Sequence, residues 1–126
     1  MYPDDLKYNK THQWAKAENG NAKIGITYYA QKELGDIVLA ELPKAGEAAT
    51  AGKSFGVVES TKSASEIFSP VSGKITDVNE EVKNNPEIIN KDPYGKGWMI
   101  IVKMDNPDEL KSLLSDGQYK KLVEEK

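Results

Sequence analysis

Apolar and polar residues alternate over short stretches for most of the chain, and turn-forming residues interrupt them every few positions. Ala22-Lys23-Ile24-Gly25-Ile26 keeps a period of two, which predicts a strand with one buried face. Ahead of it, Glu18-Asn19-Gly20-Asn21 holds the Asn-Gly step of a tight hairpin, so residues 11–17 are predicted to pair with 22–26. Thr27 then stands in capping position before Tyr28–Leu34, and Gly35 follows where a helix C-terminus favours glycine, which predicts one short helix. Residues 36–42 form a β run ended by Pro43 and the turn Lys44-Ala45-Gly46, and residues 47–50 form a further short strand.

The middle of the chain brings two β-rich runs together. Phe55-Gly56-Val57-Val58 leads in, and residues 67–75 lead out. Between them lies a polar stretch of small side chains, Ser60-Thr61-Lys62-Ser63-Ala64-Ser65, which reads as the tip of a hairpin. Gly35-Asp36-Ile37-Val38 before this tip has a loose counterpart in Gly73-Lys74-Ile75-Thr76 after it, pointing to two similar halves of a barrel or sandwich. Asn84 to Asn90 reads as a loop with one helical turn, Pro86 taking the first helical position. Asp92-Pro93-Tyr94-Gly95-Lys96-Gly97 is a turn that opens a last strand at residues 98–102. Asn106-Pro107-Asp108-Glu109 has cap, proline and early acids in helix-start order. Leu110, Leu113 and Leu114, then Tyr119, Leu122 and Val123, form an apolar stripe over two short helices that would cover the sheet. A partner-docking role is the sharper reading of the same stripe.

These elements define a mainly β fold, a barrel or sandwich with short helices, within one domain spanning residues 1–126. Its core would occupy residues 8–104, with a helical cover over 106–124. The glycine fingerprint of a phosphate-binding βαβ unit is missing.

Composition narrows the chemistry. A net charge of −3 gives no electrostatic case for nucleic acid, and all 17 basic residues are lysine, so the forked donor that suits phosphate is absent. Without cysteine there is neither a disulfide nor a thiolate site, and the single histidine, His12, cannot build a multi-histidine metal site. No run reaches the length of a membrane span, and the N-terminus lacks a basic region followed by an apolar one. The cytoplasm is the expected location, or the mitochondrial matrix if a transit peptide has been removed.

Lys62 is the residue with chemical promise. An enzyme that acylates a lysine needs an accessible amine with little bulk beside it, and Ser60, Thr61, Ser63, Ala64 and Ser65 supply that. Glu59 and Glu66 flank the lysine and can orient a modifying enzyme by charge. By residue type alone an exposed lysine on a polar turn is more often simply solvated. A Schiff-base lysine would need a desolvated pocket, which a polar tip does not make.

The chain resembles the H proteins of the glycine cleavage system. The matching residues run almost end to end: Thr11-His12-Gln13-Trp14, Gly25-Ile26-Thr27, Glu33-Leu34-Gly35-Asp36-Ile37-Val38, Glu41-Leu42-Pro43, Gly56-Val57-Val58-Glu59-Ser60-Thr61-Lys62, Ser69-Pro70-Val71-Ser72-Gly73, Asn85-Pro86-Glu87, Ile89-Asn90, and Asp92-Pro93-Tyr94 with Gly97-Trp98. The resemblance implies a lipoyl/biotinyl-domain-like barrel-sandwich hybrid with lipoate in amide linkage to Lys62 (N6-lipoyllysine). It implies a carrier rather than an enzyme, with no catalytic residue of its own. Its partners would be glycine decarboxylase (P protein), the tetrahydrofolate-dependent aminomethyltransferase (T protein) and dihydrolipoamide dehydrogenase (L protein). A lipoate ligase or octanoyltransferase would load it, Glu59 serving in recognition.

The resemblance also implies a cleft for the loaded arm, lined by Gln13 and Glu66. The family usually has a carboxylate where this chain has Gln13, and the shorter aspartate where it has Glu66, so weaker charge pairing is expected. His12 and Trp14 are expected to be structural. Thr61 and Ser63 replace the common valine and alanine, which leaves a paralogue relaying lipoyl groups to other enzymes as the alternative. The same two residues argue against a biotin carrier, whose lysine lies between methionines. A lipoyl domain of a 2-oxoacid dehydrogenase would normally have aspartate before the lysine.

Overall fold

The computed structural model describes residues 1–124. Two antiparallel sheets face one another. The larger has six strands: β1 (Lys7–Tyr8), β2 (Gln13–Glu18), β3 (Asn21–Ile26), β5 (Ala48–Ala49), β8 (Gly73–Val78) and β9 (Ile100–Met104), in the order β1-β2-β3-β9-β8-β5. The smaller holds β4 (Ile37–Glu41), β6 (Ser54–Ser60) and β7 (Ala64–Phe68), in the order β4-β6-β7. The loosely repeated segments after Gly35 and from Gly73 thus fall in different sheets, as β4 and β8.

Alternation on the strands decides what lies between the sheets. Ala22, Ile24 and Ile26 of β3 meet Ala40 of β4, Val58 of β6, Ile67 of β7 and Ile100 and Val102 of β9 in one buried cluster. β2 is covered on both faces: Ala15 joins that cluster, while Trp14 turns outward into a second one with Leu6, Tyr8 and Tyr119. The Trp14 ring lies directly over Gly25, its register partner, where a Cβ would stand only 2.8 Å from the ring. Asn19 and Gly20 both take positive φ at the β2–β3 turn, as the Asn-Gly step requires.

Helix α1 (Tyr28–Leu34) has the predicted caps: the Thr27 hydroxyl accepts from the Ala30 N–H, and Gly35 sits at φ 81°. Several boundaries differ from the sequence reading. A helix at Glu80–Asn84 (α2), capped by the Asn79 side chain and opening on two acids, was not expected. The helical turn after it (α3, Ile88–Lys91) starts beyond Pro86, which belongs to the preceding turn. The last strand begins at Ile100 rather than Trp98: the turn that Gly95 and Gly97 close on the Asp92 carbonyl runs on into the Trp98 N–H, which donates to the Gly95 carbonyl. The Asn106 cap is real, but its helix (Pro107–Ser112) is of the 3-10 type, and α4 follows at Asp116–Glu124.

The apolar stripe of these last helices covers the protein, as expected, but divides between two cores. Leu110 and Leu113 pack on the inter-sheet cluster, while Leu114, Leu122 and Val123 pack on the tyrosine–tryptophan cluster. Tyr119 of α4 stacks on Tyr8 with ring centroids 4.8 Å apart. No helix among the described residues is long and apolar enough to cross a membrane.

Burial of this second cluster has a consequence at high pH. Burial raises the phenols of Tyr8 and Tyr119 well above the ordinary value of 10.0 and pushes Tyr94 up to about 12. The unfolded chain therefore loses these protons first, so stability is full below pH 10 and falls as pH rises through 10 to 12 and beyond. Thermal melts across this range, followed with tyrosine ionisation by absorbance, should show melting temperature dropping before the phenols titrate in the folded state. A melting temperature flat to pH 12 would contradict this account.

Candidate functional site

β6 and β7 form the hairpin whose tip is Thr61-Lys62-Ser63. Ser60 closes it: its backbone N–H donates to the Ser63 carbonyl at 2.8 Å, and its hydroxyl oxygen accepts from the N–H groups of Lys62 and Ser63 at 3.1 Å each. A small hydroxyl residue at this position replaces a second pair of strand bonds and stops the turn from splaying. Lys62 is exposed, and its neighbours Thr61, Ser63 and Ala64 are exposed with it. The lysine stem crosses Gly35, where a Cβ would come within 3.2 Å of the lysine Cε. This is not the desolvated pocket of a Schiff-base lysine.

The tip rests on a second chain segment. The Asp36 carbonyl accepts from the Thr61 N–H at 3.1 Å, so the link between α1 and β4 supports the turn from below. Asn90 of α3 holds that link. Its amide NH2 donates to the Gly35 carbonyl at 2.8 Å and to Gln31 Oε1 at 3.0 Å, while its Oδ1 accepts from the Ile37 N–H at 2.9 Å. The sequence places Asn90 in a loop with one helical turn and within a matching dipeptide, and neither assigns it a role. Nothing local to residue 90 could reveal a partner 53 positions earlier.

Asn90→Asp keeps one acceptor and loses both donors, leaving the Gly35 carbonyl and Gln31 unpaired beside a new charge. Half-buried hydrogen bonds of this kind put the cost at about 1–3 kcal/mol of unfolding free energy. The Thr61 amide should also exchange faster with solvent, as read by hydrogen-exchange NMR. Unaltered exchange at Thr61 would mean that Asn90 does not support the tip.

Beside the hairpin the two sheets part, and the open end forms a cleft of about 160 Å³. Both predicted cleft residues line it. Gln13 is buried on the inner face of β2, its Oε1 accepting from the Thr11 hydroxyl. Glu66 is exposed on β7, an edge strand of the small sheet, and lines the cleft. Glu59 stands elsewhere, half-buried on β6 and across from Leu39 on the small sheet's outer face. The cleft also contains Glu33 of α1, which sequence reasoning passed over. It therefore holds two carboxylates, Glu33 and Glu66, although Gln13 is neutral. Helical spacing alone could not show that Glu33 turns toward β7.

His12 and Tyr29 form the aromatic wall of the cleft, ring centroids 4.7 Å apart. His12 Nδ1 lies 2.8 Å from the Tyr119 hydroxyl, which also bonds the Thr27 hydroxyl at 2.7 Å. Its backbone takes φ 75°, with its carbonyl accepting from Thr27 and its N–H donating to Asn9. Trp14 is fully buried, its Nε1 donating to the Pro93 carbonyl at 3.0 Å. Both side chains tie the first hairpin to distant elements.

Two apposed antiparallel sheets, an exposed lysine on a rigid hairpin and a cleft at its side define the barrel-sandwich hybrids that carry a group on a lysine arm. The profile of the glycine cleavage H-protein family matches residues 6–126. The chain is 56% identical over 125 residues to the glycine cleavage system H protein of Carboxydothermus hydrogenoformans, spanning 99% of this chain and 96% of that one. It is 46% identical over 123 residues to the H protein of Bacillus velezensis, spanning 98% and 97%. Its structure superposes on the crystal structure of a glycine cleavage system H protein from Mycobacterium marinum with a TM-score of 0.90 at 36% identity, spanning 97% and 98%. The chain belongs to the glycine cleavage H-protein family, the non-catalytic lipoyl carriers of the glycine cleavage system.

Proposed function

We propose that Lys62 bears lipoate in amide linkage and that the whole chain acts as one domain presenting this arm. The observation that carries the proposal is an exposed lysine at the end of a braced hairpin, with an acid-lined cleft beside it. The residues present fit such a group: the tip side chains are small, Gly35 leaves the stem free of a Cβ, and the cleft can take the end of an arm. In loading, the deprotonated Lys62 amine adds to an activated acyl carbonyl. The amide C–N bond forms as the bond to the leaving group breaks, and the amine's proton departs with that group.

When attached, the lipoyl group supplies a disulfide whose opening receives the aminomethyl group of glycine. The chain's own residues then bind and shelter. Glu66 and Glu33 offer carboxylates to an ammonium, Gln13 offers a neutral amide, and His12 with Tyr29 closes one wall against water. A tethered arm replaces diffusion between active sites with a high effective concentration. The absence of cysteine keeps the arm's sulfurs from exchanging with the chain that carries them.

The partners in this reading are glycine decarboxylase, the tetrahydrofolate-dependent aminomethyltransferase, dihydrolipoamide dehydrogenase and a lipoate ligase or octanoyltransferase that uses Glu59 in recognition. The bacterial relatives support the cytoplasm as the place of work. Intact-mass analysis of protein made with lipoate available should show one lipoyl increment, mapped by peptide sequencing to Lys62. In the same preparation, loading with the aminomethyl group should move the NMR signals of Gln13, Glu33 and Glu66. An unmodified Lys62 overturns the attachment site, and unmoved signals overturn the cleft.

A further inference from the structure

The outer face of the small sheet is uncovered and has an unusual make-up. Its pairing skips a residue on β4: Ile37 faces Ser60 and Leu39 faces Glu59, which leaves Val38 as the extra residue of a bulge. A bulge breaks the alternation of sides, so two consecutive apolar side chains come out together. Val38 is 56% exposed and Leu39 40%, and apart from Met1 they are the exposed large hydrophobic residues among those described.

Register places the rest of this face. One row runs Leu39–Glu59–Ala64 and the next Glu41–Val57–Glu66, side chains of paired residues sharing a side. The face therefore shows an apolar pair framed by the carboxylates of Glu41 and Glu59, with no base in either row, while Glu66 at its far edge lines the cleft. The carbonyl of Asp36, one residue before β4, accepts from the Thr61 N–H, so the start of β4 adjoins the tip that bears Lys62.

We infer that this face is the docking surface for the enzyme that acylates Lys62, and that the enzyme meets it with an apolar contact ringed by basic side chains. The inference rests on the proposed attachment at Lys62 and extends it from the lysine to the strand behind it. Distance from the reacting atom selects the occupant. The acylating enzyme must bring its active centre to the lysine nitrogen itself, so its surface falls on the strands next to the tip. Enzymes that use the finished arm act at its far end and can reach it without covering β4. Two carboxylates against a basic rim give attraction and orientation, and the Val38–Leu39 pair supplies the dehydrated centre.

The test uses a purified lipoate ligase with ATP and lipoate, acting on the full-length unmodified chain. Val38→Thr with Leu39→Thr removes the apolar contact and keeps residues that suit a strand. The double variant should lose tenfold or more in kcat/KM for acylation, carried by KM, with its melting temperature unchanged. Salt should raise the KM of the parent, since exposed charges are screened. A Lys62→Arg chain should inhibit the ligase competitively, and adding the two threonines should weaken that inhibition by a similar factor, a binding readout free of turnover.

Parental kinetics in the folded double variant overturn the docking surface while leaving acylation at Lys62 intact. A parent that takes up no lipoate overturns both. Unchanged acylation with slowed transfer from glycine decarboxylase assigns the face to that enzyme instead. Concentration-dependent dimers lost in the variant assign it to a second copy of the chain.

Discussion

Lys62→Arg protein should fold as the parent does and take up no lipoate at all. Arginine keeps the positive charge and a long stem over Gly35, but its guanidinium holds its proton at any accessible pH and offers no free amine for acylation. The tip itself does not depend on the lysine side chain, because Ser60 closes the turn through backbone groups and the Asp36 carbonyl holds Thr61. Intact mass should show a complete loss of the lipoyl increment, glycine–bicarbonate exchange with glycine decarboxylase should fall to background, and the melting temperature should stay within a degree or two. An increment that persists would place the arm on another of the 17 lysines.

Removal of Trp14 should be the most damaging of the stability changes considered. The ring is fully buried, covers Gly25 and packs with Leu6, Tyr8 and Tyr119, so Trp14→Ala opens a cavity between the sheet and the terminal segments. Large aromatic truncations in cores cost about 3–5 kcal/mol. The indole N–H also bonds the Pro93 carbonyl, and its loss frees the turn ahead of β9. Trp14→Phe keeps much of the packing and loses that bond, so it should cost less, about 1–3 kcal/mol. Urea melts check both values. Equal losses in the two variants would show that the hydrogen bond, rather than the filled volume, carries the effect.

Local rules made much of the fold legible. The Asn19-Gly20 turn, the Thr27 and Gly35 caps of α1 and the Lys62 tip each depend on residues within a few positions, and each appears where the pattern placed it. The overlooked helix α2 had a local signal too, Asn79 followed by Glu80 and Glu81, hidden because the helix is only five residues long. The late start of β9 was harder to see, since Trp98-Met99 is as apolar as a strand. Bonds from Gly95 and Gly97 back to Asp92, and from Trp98 back to Gly95, extend the turn up to it.

The site divides in the same way. Lys62, Glu59, Glu66 and Gln13 could be named as candidates from the chain because resemblance and small-residue spacing mark them, and the structure sets Glu59 apart from the cleft. The membership of the cleft could not. Glu33 reaches it from α1, and His12 reaches it through a positive φ fixed by Asn9 and Thr27.

The sequence by itself determined the hairpins, the caps and the lysine at the tip, since backbone preferences and short-range bonds act within a turn or two of chain. The tertiary structure alone decided the brace and the setting of that lysine. Asn90 meets Gly35 and Ile37 across more than 50 residues, the bulge at Val38 exists only relative to β6, and Gln13 shares a cleft with Glu66 only because the two sheets part at that end. Such contacts depend on which segments are pressed together by burial of the core, and hydrophobic burial has magnitude but no address along the chain.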